Sequence, residues 1–245
     1  MNEQKKAIVF GASGKTGRLL VEQLLEAGIS VTALARSDTW LTEDLENNSQ
    51  FTLVIKDVSV MSQTEFVNLI REHSLVYCTL GHNISVKGIW GEPRKLVSNS
   101  INNICDAIQA INPSKPIKVI LMASTGCRNT LVTEKPPLSQ SLAIGVIRRL
   151  IPPHIDNELA VENLIRQTMT SSSSLEWIIV RPDTLIDEST VTKYETVPSP
   201  VRNAIFSPGQ SSRINVANLM SRLGVENELW EEWKGKMPVL YNVTA

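Results

Sequence analysis

Ala7-Ile-Val-Phe-Gly-Ala-Ser-Gly-Lys-Thr-Gly17 decides how this chain folds. Ala7–Phe10 is apolar without alternation, as in a strand covered on both faces. Glycines follow at Gly11, Gly14 and Gly17. From Thr16 to Ala27 the pattern turns helical, with Leu20, Leu24 and Ala27 on one face and Gly28 as a C-terminal stop. Strand, glycine turn and helix in that order make a phosphate cradle. Gly11 permits the sharp turn, Gly14 lets backbone approach a pyrophosphate, and Gly17 lets the helix close on the sheet. The helix start offers N–H groups and the positive end of its dipole. Ser13, Lys15 and Thr16 complete the loop. The stretch predicts a strand-to-helix turn that holds a dinucleotide cofactor.

The same alternation continues outward. Val31–Ala35, Phe51–Ile55, Leu75–Leu80 and Ile117–Ala123 read as strands, with Thr64–His73 and Arg94–Ile111 as helices between them. Such alternation predicts an α/β fold, a doubly wound parallel sheet with right-handed crossovers. The second half is less regular. A helix is expected over Asp156–Met169 and a strand over Leu175–Val180, stopped by Arg181-Pro182. Residues 183–212 read as loops with one short strand, Asn215–Leu223 as a helix, and Val239–Val243 as a last strand. Trp230 and Trp233 read as packing residues. The expectation is a single domain over 1–245, with 183–245 supplying a small C-terminal substrate-binding portion.

Composition narrows the function classes. The chain has 245 residues, 42% of them hydrophobic and 20% charged, as in an ordinary globular protein. A formal net charge of −1 gives no basic field for nucleic acid or an anionic membrane. No run of about 18 apolar residues predicts a membrane span. Met1–Lys6 passes straight into the first strand and has no signal-peptide pattern. Cys78, Cys105 and Cys127 are odd in number and widely spaced, which fits a reducing, cytoplasmic setting and neither disulfides nor a metal site. The expected partner is a small-molecule substrate, and the expected state a monomer or homodimer.

Arg36 follows the second strand. A free ribose 2′-hydroxyl favours an acidic residue there, and a 2′-phosphate favours arginine. Ser37 can add a hydroxyl and Lys15 a second positive charge. This points to NADP(H) in preference to NAD(H). Asp57-Val58 follows the third strand, where the carboxylate either accepts from the adenine amino group or serves as a turn residue.

Gly11–Gly17, Arg36, Asp57-Val58, Leu80-Gly81, Ala123-Ser124 and Val180-Arg181-Pro182 together resemble the atypical short-chain dehydrogenase/reductases (SDRs). The resemblance runs from about Lys6 to Leu223. It implies a Rossmann-type fold, with Leu80-Gly81 and Ser124 at the nicotinamide end. It also implies that Arg181-Pro182 and the residues just after, such as Thr184, cover the nicotinamide ring. One departure stands out. Active SDRs carry Tyr-x-x-x-Lys at the start of the helix after the serine, whereas this chain has only Tyr77, Tyr194 and Tyr241, none on that helix. The register His154-Ile-Asp-Asn-Glu158-Leu-Ala-Val-Glu162 puts His154 at the tyrosine position and Glu158 at the lysine position. Positions i and i+4 share a helix face, so Glu158 can favour a proton-donating imidazolium while Ser124 binds a carbonyl oxygen. The rival reading has Pro152-Pro153 place His154 outside the helix, with solvent supplying the proton. The loop from His82 to Arg94 with Trp90, the loop Asn129–Gln140 and the segment around Tyr194 are expected to complete a pocket.

The leading expectation is an NADPH-dependent oxidoreductase acting on a conjugated or aromatic acceptor such as a flavin, quinone or enone. Two alternatives stay open: a redox sensor that binds NADP(H) without turnover, and an isomerase or cyclase built on the same fold.

Overall fold

The computed structural model describes residues 5–82, 93–132, 134, 152–170, 174–203 and 207–243. β1 (Lys6–Phe10) runs parallel to β2 (Ser30–Ala35) on one side and β4 (Leu75–Cys78) on the other, with Ala7 opposite Val31 and Leu75. β3 (Phe51–Ile55), β5 (Ile117–Met122), β6 (Leu175–Pro182), β8 (Tyr194–Val197) and β10 (Val239–Asn242) extend this to an eight-stranded sheet, ordered β3-β2-β1-β4-β5-β6-β10-β8. Only β8 runs antiparallel, against β10. The order of the first six strands reverses between β1 and β4, and open α/β sheets bind ligands at such a switch point.

Side chains alternate across the sheet. Ile8 and Phe10 of β1 enter one core with α3 (Gln63–Ile70), α4 (Leu96–Ile111) and α5 (Pro152–Thr170). Ala7 and Val9 enter the other with α1 (Lys15–Glu26), α6 (Arg213–Val225) and α7 (Asn227–Trp233). The inner strands β1 and β4 are therefore apolar on both faces, which is why their runs in the sequence do not alternate. A short α2 (Glu43–Glu46) lies between β2 and β3.

Local signals end the helices where expected. Gly28 takes φ +76°, so its N–H reaches Leu25 O at 2.9 Å and that of Ile29 reaches Leu24 O at 3.0 Å, a Schellman stop for α1. Gly224 of α6 leaves space for Tyr77, because a Cβ there would stand 1.9 Å from the phenol oxygen. Trp230 and Trp233 are buried on α7, as expected of packing residues.

Three expectations change. Residues 183–212 hold β7 (Thr184–Ile186), β8 and β9 (Gln210–Ser212) instead of one strand, and β7 and β9 form a separate parallel pair. Segments of three or four residues carry too little periodicity to read. β6 continues through Arg181 and Pro182, which stand opposite Val239 and Leu240 of β10. α5 begins at Pro152, not Asp156, because proline suits the first helical turn, where no N–H partner is lost. His154 is therefore inside the helix.

Among the described residues no helix is long and apolar enough to cross a membrane, and no cluster of His, Cys, Asp and Glu could hold a metal ion. The three cysteines are free and buried.

Candidate functional site

The carboxyl ends of β1 to β4 open into one cleft of about 240 Å³, between the glycine turn and the exits of β2, β3 and β4. The residues that the sequence named independently meet there. Gly11, Ser13, Gly14, Arg36, Asp57, Val58, Leu80 and Gly81 all line it.

The glycine turn works by close approach. Gly11 sits at φ +86°, and a Cβ on it would stand 2.8 Å from the Leu80 N of the neighbouring strand exit. Gly14 donates to Gly11 O at 3.0 Å and caps α1 without any side-chain capping bond. The first N–H groups of α1 are thus left for an anion. Gly17 packs onto the turn itself, since a Cβ there would lie 2.2 Å from Gly11 O. Thr16 is buried beneath the turn. Thr79 Oγ1 donates to Phe10 O at 3.1 Å and pins β1 to β4 below the cleft.

Arg36 and Asp57 line the cleft at the exits of β2 and β3. Ser37 follows Arg36 and pairs with Thr39 through hydroxyls 3.0 Å apart. Asp57 Oδ1 accepts from Ser59 Oγ at 2.7 Å and Ser59 N at 2.9 Å, so it makes the turn after β3. Those bonds, opposed by partial burial and helped by the Arg36 charge, hold its carboxyl below the ordinary range. Lys15 does not line the cleft. It points the other way, to Asp187 at 3.0 Å, and Asp187 also takes Arg213 at 2.6 Å.

The candidate catalytic residues gather one strand further along. Ser124 follows β5, and Thr125 N donates to Pro182 O at 3.1 Å, so the ends of β5 and β6 are tied together. His154 Nε2 lies 3.5 Å from Glu158 Oε1, the i, i+4 pair that the register predicted. Gly126 brings serine and histidine together. A Cβ on it would be 2.7 Å from His154 Cε1, 3.4 Å from His154 Nδ1 and 3.4 Å from Ser124 Oγ. The imidazole therefore turns Nε2 to the carboxylate, and its Cε1–Nδ1 edge faces Gly126. Cys127 Sγ is 3.9 Å from Ser124 Oγ, and burial pushes its thiol up to about 11, so it stays protonated at neutral pH.

Some expected contributors are elsewhere. Arg181 is fully buried; it donates to Met237 O at 2.8 Å and Cys127 O at 3.2 Å, and pairs with Glu134 at 2.9 Å. Its guanidinium ties the residues around Cys127, Glu134 and Met237 together, while Pro182 ends β6 and Thr184 begins β7. Tyr194 lies on β8 and donates to Asn218 Oδ1 at 2.8 Å, so it braces α6 instead of lining the cleft. Residues 83–92 of the His82–Arg94 loop, with Trp90, and residues 133 and 135–140 of the loop Asn129–Gln140 lie outside the described residues.

Sequence reading missed Asp156. This carboxylate is completely buried on α5, yet it accepts from Val97 N at 2.8 Å, Ser98 N at 3.0 Å, Ser98 Oγ at 2.5 Å and His82 Nε2 at 2.8 Å. It caps α4 from a different helix and fixes His82, the residue after Gly81. Burial pushes its carboxyl up, but the four bonds outweigh that and hold it below the ordinary range. Asp183, just after β6, goes the other way. Burial raises it despite bonds from Gly209 N at 3.0 Å and Thr184 N at 2.9 Å.

Comparison with known proteins agrees with this geometry. The family profile described as NAD(P)H-binding matches residues 11–224, from the first glycine to the end of α6. The chain belongs to the NAD(P)H-binding family. The resemblance to atypical SDRs is thereby borne out. Among solved structures, a Veillonella parvula short-chain dehydrogenase/reductase in complex with NADP is 16% identical, with a TM-score of 0.70 over 98% of this chain and 95% of that one. A Bacillus halodurans protein described as an NAD-dependent epimerase/dehydratase is 20% identical, with a TM-score of 0.70 over 98% and 95%. An anaerobillin reductase of Escherichia coli O157:H7 is 19% identical, with a TM-score of 0.66 over 98% of both chains. At these identities the likeness shows the shared fold.

The residues present fit the cofactor of the NAD(P)H-binding family. Gly11 and Gly14 leave a cradle that side chains would fill, α1 presents an uncapped N-terminus, and Arg36 lines the same cleft just after β2.

Proposed function

We propose that the protein is an NADPH-dependent oxidoreductase whose acceptor is a flat, conjugated or aromatic small molecule such as a flavin, quinone or enone. The observation that carries this reading is the meeting of Arg36 with the glycine turn in one cleft, with Ser124, His154 and Glu158 one strand further along.

Bound in the cleft, the cofactor supplies a hydride from nicotinamide C4. The chain's residues do the rest. The α1 N-terminus and the Gly11–Gly14 backbone hold the pyrophosphate. Arg36 forks onto the 2′-phosphate. The Ser124 hydroxyl donates to an acceptor oxygen and fixes which face meets the nicotinamide. His154, charged by a proton from solvent and paired with Glu158, delivers that proton as the acceptor gains the hydride. Hydride and proton together account for the two electrons and the two hydrogens of the reduced product. A histidine titrates near neutral pH and suits this donor role. The anaerobillin reductase among the solved neighbours supports a reductive reading by likeness of fold.

NADPH consumption with a panel of flavins, quinones, enones and linear tetrapyrroles tests the proposal. Turnover with at least one class is expected. Ser124→Ala should lower kcat/KM about 100-fold, the loss of one oriented donor. His154→Ala should remove the alkaline fall of the pH–rate profile, where the imidazolium loses its proton. Tight NADPH binding with no turnover on any class sinks the oxidoreductase reading. It would favour the redox sensor, a reading supported by Tyr77 and Tyr241 being buried and Tyr194 being held at α6.

A further inference from the structure

The cleft contains a cation that no pattern in the sequence singles out. Lys56 directly follows β3 and lines the same cleft as Arg36, which directly follows β2. The two strands are parallel neighbours, with Ala35 opposite Ile55, and the Lys56 N–H donates to Ala35 O at 2.8 Å. Strand pairing therefore persists up to the point where both cations emerge, and it sets them side by side.

The Lys56 side chain is anchored. Its ammonium pairs with Glu65 of α3. Glu65 is itself fixed, accepting from Ser62 N at 2.7 Å and Ser62 Oγ at 2.9 Å to close the capping box that starts α3. The lysine bond first, then those two, hold the Glu65 carboxyl down to about 2, so it stays an anion. The acid that lines the cleft, Asp57, has turned Oδ1 onto Ser59. This wall thus offers a guanidinium and an ammonium, with Asp57 turned onto Ser59 and Glu65 holding the ammonium from α3.

We propose that Lys56, positioned by Glu65, is a second determinant of 2′-phosphate recognition beside Arg36. A phosphate monoester carries about −1.5 to −2 charge at neutral pH, more than one guanidinium neutralises, whereas a 2′-hydroxyl gives Lys56 nothing to pair with. The ammonium meets the phosphate as a point charge, and Glu65 keeps the flexible stem near the cleft. The proposal rests on reading the cleft as an NADP(H) site.

Calorimetric titration of wild type, Lys56→Met, Lys56→Arg and Glu65→Gln with NADP+ and with NAD+ tests it. Lys56→Met should weaken NADP+ about 10-fold and leave NAD+ within about twofold, the scale of one lost charge-assisted bond. Lys56→Arg should restore most of the preference. Glu65→Gln keeps a capping side chain but loses the charge, and it should lower the NADP+/NAD+ ratio by a smaller factor. Lys56→Met lowering both affinities alike, or neither, overturns the role of Lys56 while Arg36 can still carry the preference. Equal wild-type affinities for NADP+ and NAD+ overturn the NADP(H) reading itself, and the Lys56 proposal with it.

Discussion

Replacing Gly17 by alanine should weaken NADPH and NADH alike by at least about 100-fold, close to 2.7 kcal/mol. The added Cβ would stand 2.2 Å from Gly11 O, 2.9 Å from Thr79 Oγ1 and 3.0 Å from Ala12 Cα. Two of these atoms are backbone of the turn, and the third is a hydroxyl already bonded to Phe10 O, so none can yield cheaply. Relief requires α1 to withdraw from the turn, or the turn to open. Either movement takes the helix N-terminus away from the pyrophosphate position. Overpacking of this kind also costs about 1–3 kcal/mol of stability. That is tolerable, because α1 keeps its buried Leu20, Val21, Leu24 and Leu25. Circular dichroism should report a folded chain, and the loss should appear in the titration. Near-wild-type affinity for both nucleotides would mean that the turn does not hold the cofactor.

Asp156 carries the largest expected effect on stability. Asp156→Ala should cost about 3–5 kcal/mol in chemical denaturation, the range for removing one partner of a buried charged network. The N–H groups of Val97 and Ser98 would be left buried at the start of α4, a helix with no side-chain cap of its own, and His82 would lose its partner. The pH dependence follows from the direction of the shift. The folded carboxyl lies below its ordinary value of 3.8, so its contribution is complete above that value and disappears as pH falls through the lower folded one. Asp156→Asn should be less stable than wild type at neutral pH and should lack this acid-side loss. A cost below about 1 kcal/mol for the alanine variant would show that water replaces the carboxylate and that the network is incidental.

What the sequence made legible, and what it did not, divides by range. The glycine turn is a local object: a strand, three glycines and a helix between Lys6 and Glu26 carry their own steric logic, and the cleft forms around them. The place of Arg36 in the cleft was legible for the same reason, since it follows β2 directly. The His154–Glu158 pair followed from helical spacing once a helix was assumed, and Pro152-Pro153 obscured only where that helix starts. Contacts made across the fold left no trace in the pattern. Asp156 caps a helix 58 residues away, and in the sequence it marked no more than the start of a helix. Lys56 acquires meaning only beside Arg36, when β2 and β3 pair. The partners of Arg181 were not legible in its motif, because its guanidinium turns into the protein to meet carbonyls of three segments. Lys15 sits inside the motif, but Asp187 attracts it across the fold.

The measurement closest to the central claim is a calorimetric titration of the wild-type protein and Arg36→Ala with NADPH and with NADH. Wild type should bind NADPH more tightly, and Arg36→Ala should lose about 10- to 100-fold for NADPH, the range of a hydrogen bond to a charged group, with NADH little changed. Equal wild-type affinities, or an Arg36→Ala loss shared equally by both nucleotides, would contradict the assignment of this cleft to a 2′-phosphorylated cofactor.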